Sequence, residues 1–295
     1  MNAFDYRAPR AVEEALAALR EYGDDARVVA GGTALVTMLR QHLVRPGCVV
    51  SLRDVQGLGR IEATNGSVRL GALVTHREAE LSPLLQERLP VLSETFRRVA
   101  TVRVRHMATV GGALAHADPN QDPPVTLLSL GASVELRHAG GQRALPLDEF
   151  FRDYYETSIE PGELVTGVTV PLLPAASGAA FVKFLPRTAD DYATVAVSAV
   201  VTVEPNGERC RGARIALGSV GATPLRGRAA EALLAGEPLG EALLQAVGEA
   251  VKREVDPLSD HRGSAAYKRE MAAVMVGRAL TQAWEAARRS ARASR

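Results

Sequence analysis

Two pairs of adjacent glycines hold the most legible chemistry in this chain. The first lies in Ala30-Gly31-Gly32-Thr33-Ala34, with Leu35 next in line. Glycines carry no Cβ, so their backbone N–H groups can come close to a phosphate, and the start of a following helix adds unpaired donors and a favourable dipole. A glycine pair at a strand-to-helix turn also answers to turn geometry alone. The second pair lies in Thr109-Val110-Gly111-Gly112-Ala113, preceded by Arg105-His106-Met107 and followed by His116-Ala117-Asp118-Pro119 and Asp122. It reads either as a ligand-lining turn or as a loop between domain halves, with Asp122 capping the next helix. His116 and Asp118 are residue types that bind metals or act as bases, but two such residues without further ligands do not complete a site. His106 stands within reach of a phosphate or simply on the surface.

Other chemistries lose their support. There is no GxGxxG, no GxxxxGK followed by Ser or Thr, no GxSxG and no HExxH in the chain, which removes the usual dehydrogenase, phosphotransferase, hydrolase and zinc-protease readings. Only Cys48 and Cys210 are present, too few for an iron–sulfur cluster, which takes about four thiolates.

The elements that must carry the glycine bends follow from periodicity. Val12, Ala15, Leu16 and Leu19 fall at helical spacing before Gly23, predicting a helix and its stop. A strand is expected at Arg27 to Ala30, a helix with Leu35, Met38, Leu39 and His42 on one face, and a strand at Cys48 to Leu52. Together these make a small βαβ unit. Ser67 to Leu73 reads as a strand, Thr75 with Glu78 as a capping box, and Pro90 to Arg97 as a helix. An irregular stretch is expected from about His106 to Gln121, then a short helix with Asp122 as N-cap, Pro123 in its first turn and Gly131 as its end. Strands follow at Ser133 to Arg137 and Leu164 to Val170, and Pro174 to Gly178 reads as a linker. Beyond it, Ala180 to Leu185, Thr194 to Val203 and Ala213 to Gly218 predict an antiparallel meander. Helices at Pro224 to Leu234, Leu239 to Glu254 and Ser264 to about Ala291 finish the chain. On the last, Tyr267, Met271, Val274, Met275 and Arg278 mark the expected packing face.

At 295 residues the chain accommodates two domains. An apolar fraction of 46% and a charged fraction of 23% are ordinary for a soluble globular protein. Lys plus Arg number 35 against 34 acidic residues, a net charge of +1, which gives no reason to expect nucleic acid or an anionic membrane as partner. The basic end around Arg288, Arg289, Arg292 and Arg295 reads as a solvated terminus. MNAFDYRAPR has no apolar leader core, and no segment reaches ~18 uninterrupted apolar residues, so no membrane span and a cytoplasmic location are expected.

Taken together, VVAGGTALVTMLRQHLVRPGCVVSLRDV, RHMATVGGALAHADPNQDPPVTLLSLGASVEL and FVKFLPRTADDYATVAVSAV resemble the FAD-binding medium subunit of molybdenum hydroxylases, particularly the carbon monoxide dehydrogenase type. The likeness runs from FDYRAP through ALGSVGATPLR to Tyr267-Lys268-Arg269-Glu270-Met271. It implies an α+β fold: a p-cresol methylhydroxylase-type FAD-binding domain of two α/β subdomains over 1–174, then a C-terminal domain over 179–290 with a three-stranded antiparallel sheet and helices.

The resemblance places the FAD pyrophosphate at Ala30, Gly31, Gly32, Thr33 and Ala34, with Leu35 adjoining, and runs Thr109, Val110, Gly111 and Gly112 along the cofactor. It gives Asp122 to the adenosine part, Lys183 to the flavin end, and Tyr192 to the isoalloxazine face. Lys183 also reads as a strand-edge charge and Tyr192 as a half-buried strand residue. Ala113 departs from the asparagine that often follows this family's second glycine pair, removing a side-chain hydrogen bond to the cofactor.

The function implied is electron transfer. A large molybdopterin subunit would oxidise the substrate, iron–sulfur clusters on a small subunit would relay electrons, and FAD on this chain would pass them to an external acceptor. Two copies of each subunit are expected. The alternative is a stand-alone FAD-dependent oxidase or reductase with the same cofactor-binding fold, which would need proton-donating residues on the C-terminal domain. A scaffold without FAD is a further alternative.

Overall fold

The computed structural model describes residues 3–185 and 187–293; Arg295 of the basic end lies outside them. The first subdomain is a three-stranded parallel sheet built by β1 (Asp5–Arg7), α1 (Val12–Tyr22), β2 (Ala26–Val29), α2 (Leu35–Arg40) and β3 (Cys48–Ser51) in the order β1-β3-β2. Helix α1 ends as expected at Gly23, with φ +50°. Leu16 and Leu19 pack against Val50 and Leu52 in its core. Helix α2 stops at Arg40, before His42, which takes a left-handed φ of +57°. Sequence periodicity gave no sign of β1, because its three residues are all exposed and carry no apolar alternation.

The second subdomain is a five-stranded antiparallel sheet under a layer of short helices. In chain order it has β4 (Ile61–Thr64), β5 (Ser67–Gly71), α3 (His76–Leu81), α4 (Pro83–Arg88), α5 (Pro90–Arg97), α6 (Val102–Met107), α7 (Val110–His116), α8 (Asp122–Leu130), β6 (Ser133–His138), β7 (Gly141–Pro146), the small hairpin β8 (Phe151–Asp153) and β9 (Glu156–Thr157), and β10 (Leu164–Pro171). The sheet order is β4-β5-β10-β6-β7. Thr75 and Glu78 form the expected capping box at α3. Leu85, Leu92, Phe96, Leu127 and Leu136 lie in the core between helices and sheet.

Two expectations fail here for a local reason. The stretch from His106 to Gln121 is largely helical, because Thr101 and Thr109 cap α6 and α7 with their side chains. The N-cap of α8 is Gln121, leaving Asp122 inside the first turn with its carboxylate free for a distant partner.

The C-terminal domain has β11 (Ser177–Phe184), β12 (Val195–Val203), β13 (Cys210–Gly218) and the two-residue β14 (Leu225–Arg226), antiparallel in that order, with α9 (Arg228–Leu234), α10 (Glu241–Glu254) and α11 (Ala265–Ala293). The linker is shorter than expected, since β11 already starts at Ser177. Strand β12 is apolar at all but Ser198 and Thr202 because both faces are covered. Val195, Val197 and Val201 face the α11 side, whereas Ala196 and Val200 face the FAD-domain core. All nine residues of α8 are buried, and Ser129 meets Ser198 of β12 at 2.7 Å, so α8 joins the two domains.

The packing face expected for α11 holds at Met271 and Met275 and is corrected elsewhere. Tyr267 and Val274 are exposed, and the buried stripe is Ala272, Met275, Ala279, Ala283 and Ala287 with Lys268 at its head. Small residues let α11 lie close on the sheet: a Cβ on Gly178 would collide with the Ala283 carbonyl and the Ala287 amide. Among the described residues no helix is long and apolar enough to cross a membrane.

Candidate functional site

The two glycine bends converge. Gly31 sits directly against the Met107 carbonyl, where a Cβ would fall on top of that oxygen. Gly112 faces the first bend, and a Cβ there would stand 4.0 Å from the Ala30 methyl. Gly31 is therefore required first by the protein itself, because backbone meets backbone where the segments cross. Gly111 is fixed in the same way against Ala72, to whose carbonyl it donates at 2.9 Å. Only Gly32 needs its glycine for conformation, at φ +74°.

The bends differ in what they offer a ligand. The amides of Gly31, Gly32, Thr33, Ala34 and Leu35 donate to no acceptor among the described residues, and the first hydrogen bond of the next turn is Val36 N–H to Gly32 O at 3.1 Å. A run of unpaired donors on a partly exposed bend is suited to an anion with several oxygens. The second bend spends its donors internally. Val110 donates to Val74 O at 2.9 Å, Gly112 to Thr109 Oγ1 at 3.1 Å and Ala113 to Thr109 O at 2.9 Å. It supplies a close, side-chain-free wall instead.

Asp122 and Lys183, which the resemblance assigns to different parts of the cofactor, meet in one ion pair. Lys183 Nζ stands 2.7 Å from Asp122 Oδ2 and also donates to Arg98 O at 3.1 Å. Burial lifts the Asp122 carboxyl to about 6 against the pull of the Lys183 ammonium. Asp122 Oδ1 is buried and has no partner among the described residues, an acceptor left open at this point. Lys183 also lines a pocket of about 420 Å³ with Arg97, Arg98, Ala100, Arg105 and Leu185.

Tyr192 follows Asp191 in the segment between β11 and β12 and keeps 42% of its surface exposed. The Arg262 guanidinium covers one side of its ring, 5.4 Å from the centroid, and is itself held by Asp191 at 3.1 Å. Burial first, and the Asp118 carboxylate second, raise the Tyr192 phenol above its ordinary value. The sequence contained Asp118 and Arg262 but no local signal that they would surround Tyr192, since they lie 74 and 70 residues from it. His76 is another residue without a sequence signal. It is buried beside Phe96, ring centroids 5.1 Å apart, and neither ring nitrogen has a hydrogen-bond partner among the described residues.

A bend of free amides facing a glycine wall is suited to a phosphate-bearing ligand. The comparisons make the class specific. Residues 2–173 match the family described as FAD binding domain in molybdopterin dehydrogenase, and 180–283 match the CO dehydrogenase flavoprotein C-terminal domain. The 6-hydroxypseudooxynicotine dehydrogenase complex subunit alpha of Paenarthrobacter nicotinovorans is 38% identical over 97% of this chain and 96% of its own length. The carbon monoxide dehydrogenase medium chain of Afipia carboxidovorans is 36% identical over 96% and 97%. A chain of the crystal structure of Cu,Mo-CO dehydrogenase superposes with a TM-score of 0.92 at 36% identity, covering 96% of this chain and 98% of that one. A chain of quinoline 2-oxidoreductase from Pseudomonas putida 86 gives 0.91 at 33% identity, over 97% and 99%. The chain belongs to the FAD-binding subunit family of the molybdenum hydroxylases, and it is an oxidoreductase subunit whose own cofactor is FAD.

Proposed function

We propose that this chain takes electrons from the iron–sulfur clusters of a small partner subunit and passes them to an external acceptor, while a large molybdopterin-binding partner oxidises the organic substrate. Two copies of each subunit, in the cytoplasm, complete the reading, with the FAD-binding domain over 1–174 and the C-terminal domain over 179–290. The observation that carries the cofactor's placement is the convergence of the two glycine bends around unpaired amides. The pyrophosphate lies on the amides of Gly31 to Leu35, with Ala30 behind them. Thr109, Val110, Gly111, Gly112 and Ala113 form the opposite wall. The Asp122–Lys183 pair and Tyr192 attend the remainder of the cofactor.

Bound FAD supplies the ability to accept electrons singly and release them in pairs. The protein's task is binding, orientation and electrostatics. No acid, base or nucleophile is needed for that task, which accords with a site made of amides, glycines, one ion pair and aromatics.

The test is to purify the chain with its partners and alone. The expected result is a stoichiometric flavin spectrum and reduction by substrate only when the molybdenum and iron–sulfur subunits are present. Rapid reduction of the isolated flavoprotein by an organic substrate would overturn the electron-transfer assignment in favour of a self-sufficient oxidase or reductase.

A further inference from the structure

Helix α7 starts at the second glycine bend and ends at His116, ~9 Å further on at 1.5 Å per residue. Its far end is therefore about one extended sugar chain from the phosphate-binding bends. The chain leaves α7 through Ala117, at φ +52°, and Ala117 O accepts the amide of Tyr155, which is itself at φ +56°. Left-handed backbone costs non-glycine residues on the order of 1 kcal/mol or more, and tyrosine is not among the residues that favour it.

The strained corner holds the Tyr155 ring outward. Tyr155 is 58% exposed, and His116 stands 5.3 Å away at 49°. Tyr192 presents a ring of the same kind, covered on one side by Arg262 and half-exposed. Asp118 acts on both. Its carboxylate, fixed by the Asn120 amide at 2.9 Å and side chain at 3.1 Å, adds to burial in raising each phenol. Two exposed aromatics thus share one buried carboxylate, and each is contacted on one side by protein. Such rings are suited to a planar heteroaromatic ligand.

We propose that Tyr155 is a second aromatic wall of the flavin site, positioning the isoalloxazine at the C-terminal end of α7. The left-handed corner at Ala117 and Tyr155 exists to aim that ring, with His116 as its support. The inference rests on the FAD reading above and adds to it a residue outside the family's glycine motifs.

Aromatic side chains in contact with an isoalloxazine quench its emission and shift its visible bands, so the site can be read without turnover. The full chain, purified with whatever subunits accompany it, is compared with Tyr155→Leu, Tyr192→Leu, the double variant and Tyr155→Phe. Emission per bound FAD is expected to rise severalfold in each leucine variant and further in the double, with the visible bands kept in Tyr155→Phe. Loss of FAD from Tyr155→Leu but not from Tyr155→Phe supports the same contact. Full FAD content in Tyr155→Leu with unchanged emission and bands overturns it, and so does equal FAD loss from Tyr155→Phe, which would trace the effect to the backbone corner. Tyr155→Gly, suited to the positive φ, replaces the leucine variant should that one fail to fold. A wild-type protein without flavin would be a failure of the FAD reading, not of this one.

Discussion

Lys183 and Asp122 form one ion pair across the boundary between the two domains, at 2.7 Å, with side chains 2% and 4% exposed. The contact ties β11 of the C-terminal domain to the first turn of α8. It places a fixed charge pair where the domains meet and leaves Asp122 Oδ1 open as an acceptor. Removing one member strands the other's charge in a dry site, which typically costs about 3–5 kcal/mol, whereas replacing both costs far less. Lys183→Met is therefore expected to lower unfolding stability by several kcal/mol in denaturant titrations. The double variant Asp122→Leu with Lys183→Met should recover much of that loss. Additive losses would show that the pair is not energetically coupled.

The glycine bends predict a graded series. Gly31→Ala places a methyl on the Met107 carbonyl, and two backbones must separate to admit it. Gly112→Ala meets only Thr109 Oγ1, at 2.8 Å, which can rotate away at the loss of the α7 cap, a cost of about 1 kcal/mol. The expected result is loss of both melting temperature and flavin content in Gly31→Ala, but a small stability change with weakened FAD retention in Gly112→Ala. Calorimetry together with the flavin absorbance ratio checks both.

What was legible in the sequence was what local spacing encodes. Leu16 and Leu19 before Gly23, Thr75 with Glu78, and the apolar run of β12 each carry their structure within a few residues. The glycine pairs were legible as bends, but not their use: the contact of Gly31 with Met107 joins segments 76 residues apart, and no local pattern distinguishes it from a phosphate approach. Thr109 would have announced α7 as a cap, had the two glycines behind it not argued against a helix. On α11 the large side chains were a partial guide: Met275 and Met271 pack into the core, Tyr267 and Val274 do not, and the close fit depends on alanine.

That fit gives a third prediction. Gly178 on β11 lies against the backbone of α11 at Ala283 and Ala287, and α11 rests on both β11 and β12 along an alanine stripe. Gly178→Val forces the longest helix off the sheet, an overpacking defect that typically costs about 1–3 kcal/mol, and more where backbone must shift. The C-terminal domain should lose protection in hydrogen exchange over β11 and α11, while the parallel sheet of the first subdomain keeps its own.

Buried His76 gives the pH dependence. It lies 3% exposed between Phe96 and the α6–α7 connection, and its backbone amide donates to Ala108 O at 2.9 Å, next to Thr109. Burial, with a smaller push from Arg105, lowers its imidazole from 6.5 to about 4; the Thr109 backbone opposes the shift without making a hydrogen bond of good geometry. The folded state thus keeps His76 neutral while the unfolded chain protonates it below about 6.5. Its contribution is complete above that pH and is lost as pH falls towards 4, amounting to on the order of 3 kcal/mol. Asp122 acts in the opposite sense over part of the same range, since its raised carboxyl favours the fold below its ordinary value and that contribution is lost as pH rises through about 6. Comparing wild type with His76→Phe separates the two, because the Asp122 contribution is common to both proteins. The wild type should lose more stability than the variant between pH 6.5 and 4. Because His76 adjoins Thr109, wild-type flavin release should steepen over the same interval, and parallel stability curves for the two proteins would place the acid sensitivity elsewhere.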